Sequence, residues 1–480
     1  MFLQLISYSL LICSVRGVSK HPAVIVVSYD GFRYDYVDTE DLPYLKLFRQ
    51  QGVYAERLQN VFPTKTFPNH HSIATGLYPE SHGVIGNSYF DSAKNKVEKI
   101  GYDMFHYNEE VVPIWRWNED AEDGRHSGSM MWPGGDYSYQ GKNITYTKSF
   151  QVGYDWHKRV DTTVEWILNP EKPANLVMLY FEEPDNHDHA FGPSSATIKK
   201  MLKKLDNITG YLQQKLHDND LLDKVNVVHL SDHGMTGVTP PHFVNITQYM
   251  KNGTYEWAGA SPAIQITPHT GFEDSIYEAL EAGSKKNGHF KVYRKSEYLD
   301  RWHYKNNSRS PPILVMADPG YALDDLIVNA PLYARHYNFT LTNSSEFGVH
   351  GYDYTVDDMR PFFMAKGPSI PAQKKIETIK VVDLFNLFCR LLGLPPTANN
   401  GTTAAILTAS GGKYKAGTIL MISVGGVLIV LVLVTLAIVF TLVAIRRQQN
   451  ITTAAALNKR FPQSFQNYVE AQHLLEPEDA

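Results

Sequence analysis

Four short apolar runs in this chain each lead into polar residues that can bind a metal or act on a substrate. They are AVIVVSYDG with Asp30, NLVMLYFEEPD with Asp185, VNVVHLSDHG with Asp232 and His233, and PPILVMADPG with Asp318. Continuous apolar, β-rich runs of this length are typical of strands buried on both faces of a parallel sheet. They constrain the fold more than any other feature, because such strands need a covering layer on each face.

Helical patterns lie between these runs. Leu42, Leu45 and Phe48 precede Gly52, and a longer stretch repeats apolar residues every 3.6 positions: Ile198, Met201, Leu202, Leu205, Ile208, Leu212 and Leu216. Alternating strands and helices predict an α/β fold, with a mostly parallel central sheet between two helical layers. Ligands of such folds lie beyond the carboxyl ends of the strands, so we expect Asp30, Asp185, Asp232 and His233 to meet at that edge.

The residue types at this edge favour a metal site. Asp185 and His189 are four residues apart, Asp232 and His233 are adjacent, and His350 stands in the motif HGYD. Carboxylate and imidazole suit zinc, and two such sets could hold two ions about 3.5–4 Å apart around a phosphoryl group. Calcium, the alternative, prefers more oxygen ligands and fewer imidazoles.

A polar, proline-punctuated segment, FPTKTFPNHHS, supplies a candidate nucleophile, Thr66. If a helix begins there, its backbone amides could bind the phosphoryl oxygens, and a neighbouring metal could lower the pKa of the attacking hydroxyl. A threonine before a helix is more often only an N-cap, and the local sequence alone favours the cap.

The two ends of the chain predict its compartment. Residues 1–18 are apolar and then small, which is typical of a secretory signal peptide, although a buried or amphipathic N-terminal segment is the alternative. No charge occurs from Ala416 to Ile445, which exceeds the ~20 residues needed to span a bilayer. We therefore expect a type I membrane protein. Its catalytic domain would be 19–395, its juxtamembrane stalk 396–416, its transmembrane helix 417–445 and its cytoplasmic tail 446–480.

Further patterns agree with a cell-surface glycoprotein. Eight N-glycosylation motifs lie on the proposed outer side, at Asn143, Asn207, Asn245, Asn252, Asn306, Asn338, Asn343 and Asn400, while Asn450 lies beyond the span. Lys plus Arg number 45 against 50 Asp plus Glu, so binding to a nucleic-acid polymer is not expected. The tail motif EAQHLL at 470–475 makes endolysosomal traffic the minority alternative to the plasma membrane.

The chain has two cysteines, Cys13 and Cys389. Once the signal peptide is removed, no intrachain disulfide can form, and the apolar helical pattern around Cys389 predicts a buried thiol. A disulfide-linked dimer is therefore not expected, and we expect the chain to be a monomer.

A set of motifs resembles the ectonucleotide pyrophosphatase/phosphodiesterase family. They are VSYDGFR at 27–33, TKTFPNHHSIATGLYPESHGVIGN at 64–87, MWPGGD at 131–136, YFEEPDNHDHAFGP at 180–193, LSDHGM at 230–235 and HGYDYTVDDMRPFFMAKGP at 350–368. The anchor and RWHYKNNSR at 301–309 look closest to the shorter type I branch with members four and five. The resemblance implies the alkaline-phosphatase-like fold, a three-layer sandwich. Family members generally carry disulfides in the catalytic domain, and this chain departs from that pattern.

The resemblance also implies roles for individual residues. Thr66 would be the nucleophile and Asn87 a donor to the phosphoryl oxygen, beside the backbone amide of Phe67. The two zinc sites would consist of Asp30, Thr66, Asp232 and His233, and of Asp185, His189 and His350. Phe67 and Tyr180 would sandwich the base, and Trp132, Asp136 and Glu182 would line that end of the pocket, although ordinary core packing equally explains Trp132.

The implied reaction is hydrolysis of small nucleotides, such as NAD or dinucleoside polyphosphates, through a threonyl-nucleotide intermediate to a nucleoside 5′-monophosphate. Two alternatives remain: a choline phosphodiesterase, or an adhesion or receptor ectodomain with weak catalysis.

Overall fold

The computed structural model describes residues 17–121 and 124–402. The strands are β1 Ala23–Tyr29, β2 Val53–Ala55, β3 Leu58–Gln59, β4 Tyr89–Asp91, β5 Lys96–Glu98, β6 Ser127–Met130, β7 Tyr146–Lys148, β8 Leu176–Phe181, β9 Val225–Leu230, β10 Thr236–Val238, β11 Tyr255–Ala260, β12 Ala263–Pro268, β13 Phe290–Arg294, β14 Ile313–Ala317, β15 Phe347–Val349, β16 Phe363–Lys366, β17 Lys374–Ile376 and β18 Ile379–Lys380. The helices are α1 Tyr36–Thr39, α2 Pro43–Gln51, α3 Thr66–Thr75, α4 Pro79–His82, α5 Tyr102–Phe105, α6 Ile114–Asp120, α7 Trp156–Ile167, α8 Asp185–Phe191, α9 Ala196–Asp218, α10 Glu273–Asn287, α11 Asp324–His336 and α12 Leu384–Leu392.

The central sheet has the strand order β17-β2-β16-β9-β1-β8-β6-β7. Strand β1 lies between β8 and β9 and is parallel to both. The sheet is mixed, because β16 runs antiparallel to its neighbours β9 and β2. The predicted parallel arrangement therefore holds at the centre of the sheet, where the candidate ligands emerge.

Helices cover the sheet in two groups. Helices α3, α6 and α12 pack with one another and against the central strands, and α2, α7 and α9 form the second group. Every residue of β1, β8 and β9 is buried, as strands between two helical layers require. The α/β prediction is confirmed.

The fourth apolar run corrects the expectation that all four runs share one sheet. It forms β14, which lies in a separate four-stranded antiparallel sheet of order β11-β12-β14-β13. All five residues of β14 are buried, so its sequence looks like that of a strand in the parallel sheet. Asp318 contacts Lys291 at 3.9 Å and is not part of the strand-end cluster described below.

No helix within residues 17–121 and 124–402 is long and apolar enough to cross a membrane. The predicted transmembrane helix 417–445 and tail 446–480, most of the signal peptide 1–18 and most of the stalk 396–416 lie outside the described residues. The prediction for Cys389 is confirmed, since its side chain is fully buried in α12 and burial raises the pKa of the thiol to about 12.

Candidate active site

Three neighbouring strands deliver acidic residues to one edge of the central sheet. Asp30 directly follows β1, Asp232 and His233 follow β9, and Asp185 begins α8 after β8. Because β1 is parallel to both β8 and β9, these residues emerge at the same edge. The expectation drawn from the strand ends is confirmed.

The first cluster consists of Asp185, His189 and His350. The Nε2 atoms of His189 and His350 lie 3.4 Å from Oδ2 and Oδ1 of Asp185, respectively. His189 is one helical turn after Asp185 on α8, and His350 follows β15. Three ligand atoms at such distances form a set able to hold one ion.

The second cluster surrounds Nε2 of His233. This atom lies 3.2 Å from Oδ1 of Asp30, 3.1 Å from Oδ2 of Asp232 and 3.3 Å from the hydroxyl oxygen of Thr66. It is also 4.0 Å from Oδ1 of Asp185, so the two clusters adjoin. The structure thus brings together all seven residues that the sequence assigned to metal binding.

The three histidines of the two clusters each direct Nδ1 at a backbone carbonyl. Nδ1 of His189 lies 2.9 Å from the carbonyl of Gly348, and Nδ1 of His350 lies 2.9 Å from that of Thr64. Nδ1 of His233 lies 2.9 Å from the carbonyl of Gly234. A carbonyl only accepts, so each Nδ1 carries a proton and donates, which leaves each Nε2 facing the carboxylates as the ring atom available to a cation.

This arrangement fits a bound cation. Among the described residues, Oδ1 of Asp30, Oδ1 of Asp185 and Oδ2 of Asp232 are buried without a hydrogen-bond partner. Burial, with the charges of Asp232 and Asp185, raises the pKa of Asp30 to about 7. The carboxylates of Asp30, Asp185 and Asp232 repel one another in this buried cluster, and a bound metal ion would offset that repulsion through coordination.

Thr66 begins α3 and is not its cap. The N-cap position is Lys65, and no side chain caps this helix end. The Thr66 hydroxyl instead lies 3.3 Å from Nε2 of His233. The cap interpretation is wrong for this threonine.

Asn87 lies beside the nucleophile candidate. Its Oδ1 accepts a hydrogen bond of 3.0 Å from the backbone N–H of Phe67. This bond fixes the side-chain amide of Asn87 and leaves its Nδ2 as a donor. The same bond occupies the backbone N–H of Phe67, which the resemblance placed beside a phosphoryl oxygen.

His70, which the sequence analysis did not single out, also lies in the second cluster. Its Nδ1 is 2.9 Å from the carbonyl of Thr66 and 3.3 Å from Oδ2 of Asp232, and its Nε2 is 2.9 Å from the hydroxyl of Ser28. With both ring nitrogens engaged, His70 connects the start of α3 to β1 and Asp232. Its position four residues after Thr66, on the same helix face, was the available signal.

The structure places Tyr180 differently from the expected base sandwich. Tyr180 is the fifth residue of β8, its side chain is buried, and its hydroxyl donates a 2.5 Å hydrogen bond to Oδ2 of Asp30. Its ring lies edge-on to His70, with centroids 5.2 Å apart. A ring enclosed in this way does not offer a free face to a base.

The remaining expected pocket residues are divided between core and surface. Trp132 is buried edge-on against His70, which favours the packing interpretation, and Asp136 is half-buried six residues after β6. Glu182 forms a two-pronged ion pair with buried Arg159, at 2.6 and 3.1 Å. Phe150, which the sequence analysis missed, is 48% exposed and lies edge-on to Tyr180 at 6.3 Å.

The comparisons with known proteins agree with this site. Residues 24–353 match the family model of type I phosphodiesterase/nucleotide pyrophosphatase. The chain is 35% identical over 406 residues to human bis(5′-adenosyl)-triphosphatase ENPP4, covering 83% of this chain and 85% of that protein. It is also 35% identical over 386 residues to human ectonucleotide pyrophosphatase/phosphodiesterase family member 5, covering 79% and 76%.

Solved structures of member 5 share the fold. An inactive threonine-to-alanine variant of the murine protein, in complex with AMP, superposes with a TM-score of 0.73 at 32% identity, covering 81% of this chain and 99% of that one. The human protein gives 0.72 at 33% identity, with the same coverage. The chain therefore belongs to the type I phosphodiesterase/nucleotide pyrophosphatase family and is a hydrolase of phosphodiester or pyrophosphate bonds.

Proposed function

We propose that the chain is a two-zinc nucleotide pyrophosphatase/phosphodiesterase that works through a threonyl-nucleotide intermediate and releases a nucleoside 5′-monophosphate. The carrying observation is the placement of the Thr66 hydroxyl beside His233, where two adjoining sets of imidazole nitrogens and buried carboxylate oxygens meet. Three imidazoles with three carboxylates favour zinc over calcium.

In this proposal Asp30, Asp232, His233 and the Thr66 oxygen hold one zinc, and Asp185, His189 and His350 hold the other. When bound, such ions withdraw charge from the phosphoryl oxygens and lower the pKa of hydroxyl groups or water. The carbonyls of Gly348, Thr64 and Gly234 keep the three imidazoles in the ligating tautomer.

The reaction consists of two displacements at phosphorus. Thr66 Oγ1 forms a bond to phosphorus and gives up its proton to solvent, while the bond to the leaving oxygen breaks and the leaving group departs with the electron pair and takes up a proton from water. Water then attacks the same phosphorus, the bond to Thr66 breaks, and the threonine regains a proton. Asn87 Nδ2 donates to a phosphoryl oxygen as charge develops.

We assign the nucleotide base to the half-exposed aromatic side chains Phe67 and Phe150. Tyr180 lies beneath Phe150 and holds Asp30, and the Glu182–Arg159 pair supports the same end of the site. Stacking on aromatic faces tolerates different bases, so base preference should be modest.

The same proposal places residues 19–395 outside the cell, tethered by 417–445. All eight asparagines of the outer glycosylation motifs are exposed, which makes them available for glycans. One relative is named an ectonucleotide pyrophosphatase/phosphodiesterase, which agrees with a cell-surface enzyme.

The deciding experiment is a turnover assay with the nitrophenyl ester of thymidine monophosphate, followed by NAD and dinucleoside polyphosphates. The triphosphatase named among the relatives makes diadenosine triphosphate the first natural substrate to try. Turnover of glycerophosphocholine in preference to nucleotides would favour the choline alternative, and no turnover at all would favour the adhesion or receptor ectodomain.

A further inference from the structure

A cavity of about 200 Å³ adjoins the candidate active site on the side of His189, His350 and Asn87. It lies between α11 and the strands β11 and β12, and one water requires only roughly 10–15 Å³ of such space. We infer that this cavity binds the leaving group, and that it selects a leaving group with a ring joined through a single phosphate, as in a dinucleotide. The inference rests on the proposed function.

The cavity lies on the side of the site where the leaving group is expected to depart. In an in-line displacement, the leaving oxygen departs on the side of phosphorus opposite the nucleophile. Thr66 stands with His233, whereas the cavity is lined by His189 and His350. The aromatic side chains assigned to the base, Phe67 and Phe150, do not line it. Base and leaving group therefore occupy different spaces.

The charges of the cavity fit one phosphate. Lys65 is buried, and its ammonium donates a 2.7 Å hydrogen bond to the carbonyl of Ser261. The other charged wall residue outside the metal clusters, Asp325, accepts hydrogen bonds from the N–H and the hydroxyl of Ser261. A single ammonium beside a carboxylate suits one phosphate better than a pyrophosphate. The greater negative charge of a pyrophosphate would be repelled more strongly by Asp325 in this partly enclosed space.

Uncommitted polar groups and flat surfaces in the wall fit a ring. Within residues 17–121 and 124–402, the Asn329 amide and the Tyr333 hydroxyl have no hydrogen-bond partner, and both residues line the cavity from α11. Gln265 donates through Nε2 to the carbonyl of Ser88, which leaves its Oε1 as an acceptor. The ring of Tyr304 is fixed as a wall by the bond from its hydroxyl to Ile85. A few fixed polar groups among apolar surfaces are the usual features of a ring-binding pocket.

The test compares substrates that share adenosine monophosphate as the retained part and differ in the leaving group. With the detergent-solubilised full chain, we expect kcat/KM for diadenosine diphosphate to exceed that for ATP by about tenfold or more. Equal values, or a preference for ATP, would overturn the inference while leaving the proposed function intact. Failure to cleave either substrate or the nitrophenyl ester would instead overturn the proposed function.

Two variants of α11 test the cavity itself. Asn329→Trp fills it from the helix, and the matched control Val328→Trp adds the same bulk at a neighbouring side chain that is 64% exposed and does not line it. Asn329→Trp should reduce the preference for diadenosine diphosphate over ATP about tenfold or more, and Val328→Trp should keep it. If Asn329→Trp fails to fold, Asn329→Ala should lower the same preference by removing the amide. An unchanged preference in the folded variant would contradict the assignment.

Discussion

The hydroxyl of Tyr180 donates a hydrogen bond of 2.5 Å to Oδ2 of Asp30, while the other carboxylate oxygen of Asp30 faces Nε2 of His233 at 3.2 Å. Tyr180 thus fixes the orientation of a candidate metal ligand from behind. Removal of such an outer partner typically costs roughly 10- to 100-fold in metal affinity or activity.

Tyr180→Phe should therefore weaken zinc binding and kcat/KM within that range, because the ring is kept and only the donor is lost. Competition with a chromophoric chelator measures the zinc affinity directly. Tyr180→Ala should do the same and additionally lower the unfolding temperature, since the ring is buried. If Tyr180→Phe behaved like the wild type and only Tyr180→Ala lost nucleotide turnover, the ring would be the base-stacking surface after all.

The purified ectodomain, residues 19–416, should contain two zinc ions per chain by elemental analysis. Removal of zinc by a chelator should lower the unfolding temperature, because the orphaned oxygens of Asp30, Asp185 and Asp232 then face one another without a cation. At metal concentrations 100-fold above Kd, binding to the native state alone adds roughly 2.7 kcal/mol to the free energy of unfolding. One zinc per chain, or calcium alone, would contradict the two-zinc assignment.

Thr66→Ala should abolish turnover and leave the unfolding temperature close to that of the wild type, because the side chain does not cap α3. Thr66→Ser should keep part of the activity, since the hydroxyl is retained. The inactivity of the murine threonine-to-alanine variant agrees with this expectation. Thr75→Ala, at the other end of α3, is a control that should stay active. Turnover by Thr66→Ala near the wild-type rate would remove Thr66 from the mechanism.

Because Cys389 is buried, the electrophoretic mobility of the ectodomain should not depend on reductant. Its thiol is fully buried, and burial raises its pKa to about 12, so little thiolate exists at neutral pH. Non-reducing gels should show a monomer with the same mobility with and without reductant. A reducible dimer band would mean that α12 opens or packs differently.

The strand-end members of the candidate ligand set were predictable from the sequence because a parallel sheet aligns the ends of its strands. Asp30, Asp185 and Asp232 each stand just after an apolar run, and the fold needed only to place β1 between β8 and β9. Asp318 shows the limit of that argument, since burial on both faces is equally a property of a central strand in an antiparallel sheet.

Two side-chain roles could not be predicted in the same way. Tyr180 in a strand could have turned its ring to the pocket or its hydroxyl to Asp30, and only the three-dimensional packing decides between them. Phe150 follows β7 in a loop with no motif of its own, and its exposed face appears only once β8 lies beside it.

The half-exposed side chains of Phe67 and Phe150 form the aromatic surface that we assign to the base. Phe150→Ala should lower kcat/KM for the nitrophenyl ester of thymidine monophosphate, since stacking contributes roughly 1–3 kcal/mol per base, which corresponds to about 5- to 150-fold. The same variant should barely change the hydrolysis of bis-nitrophenyl phosphate, which has no base. Val152→Ala, in the same loop and 84% exposed, is the matched control and should behave like the wild type.

Phe67→Ala should show the same substrate dependence as Phe150→Ala. Equal losses on both substrates would make these phenylalanines structural residues, and a wild type preferring glycerophosphocholine would overturn the nucleotide assignment while leaving the chemistry at Thr66 in place.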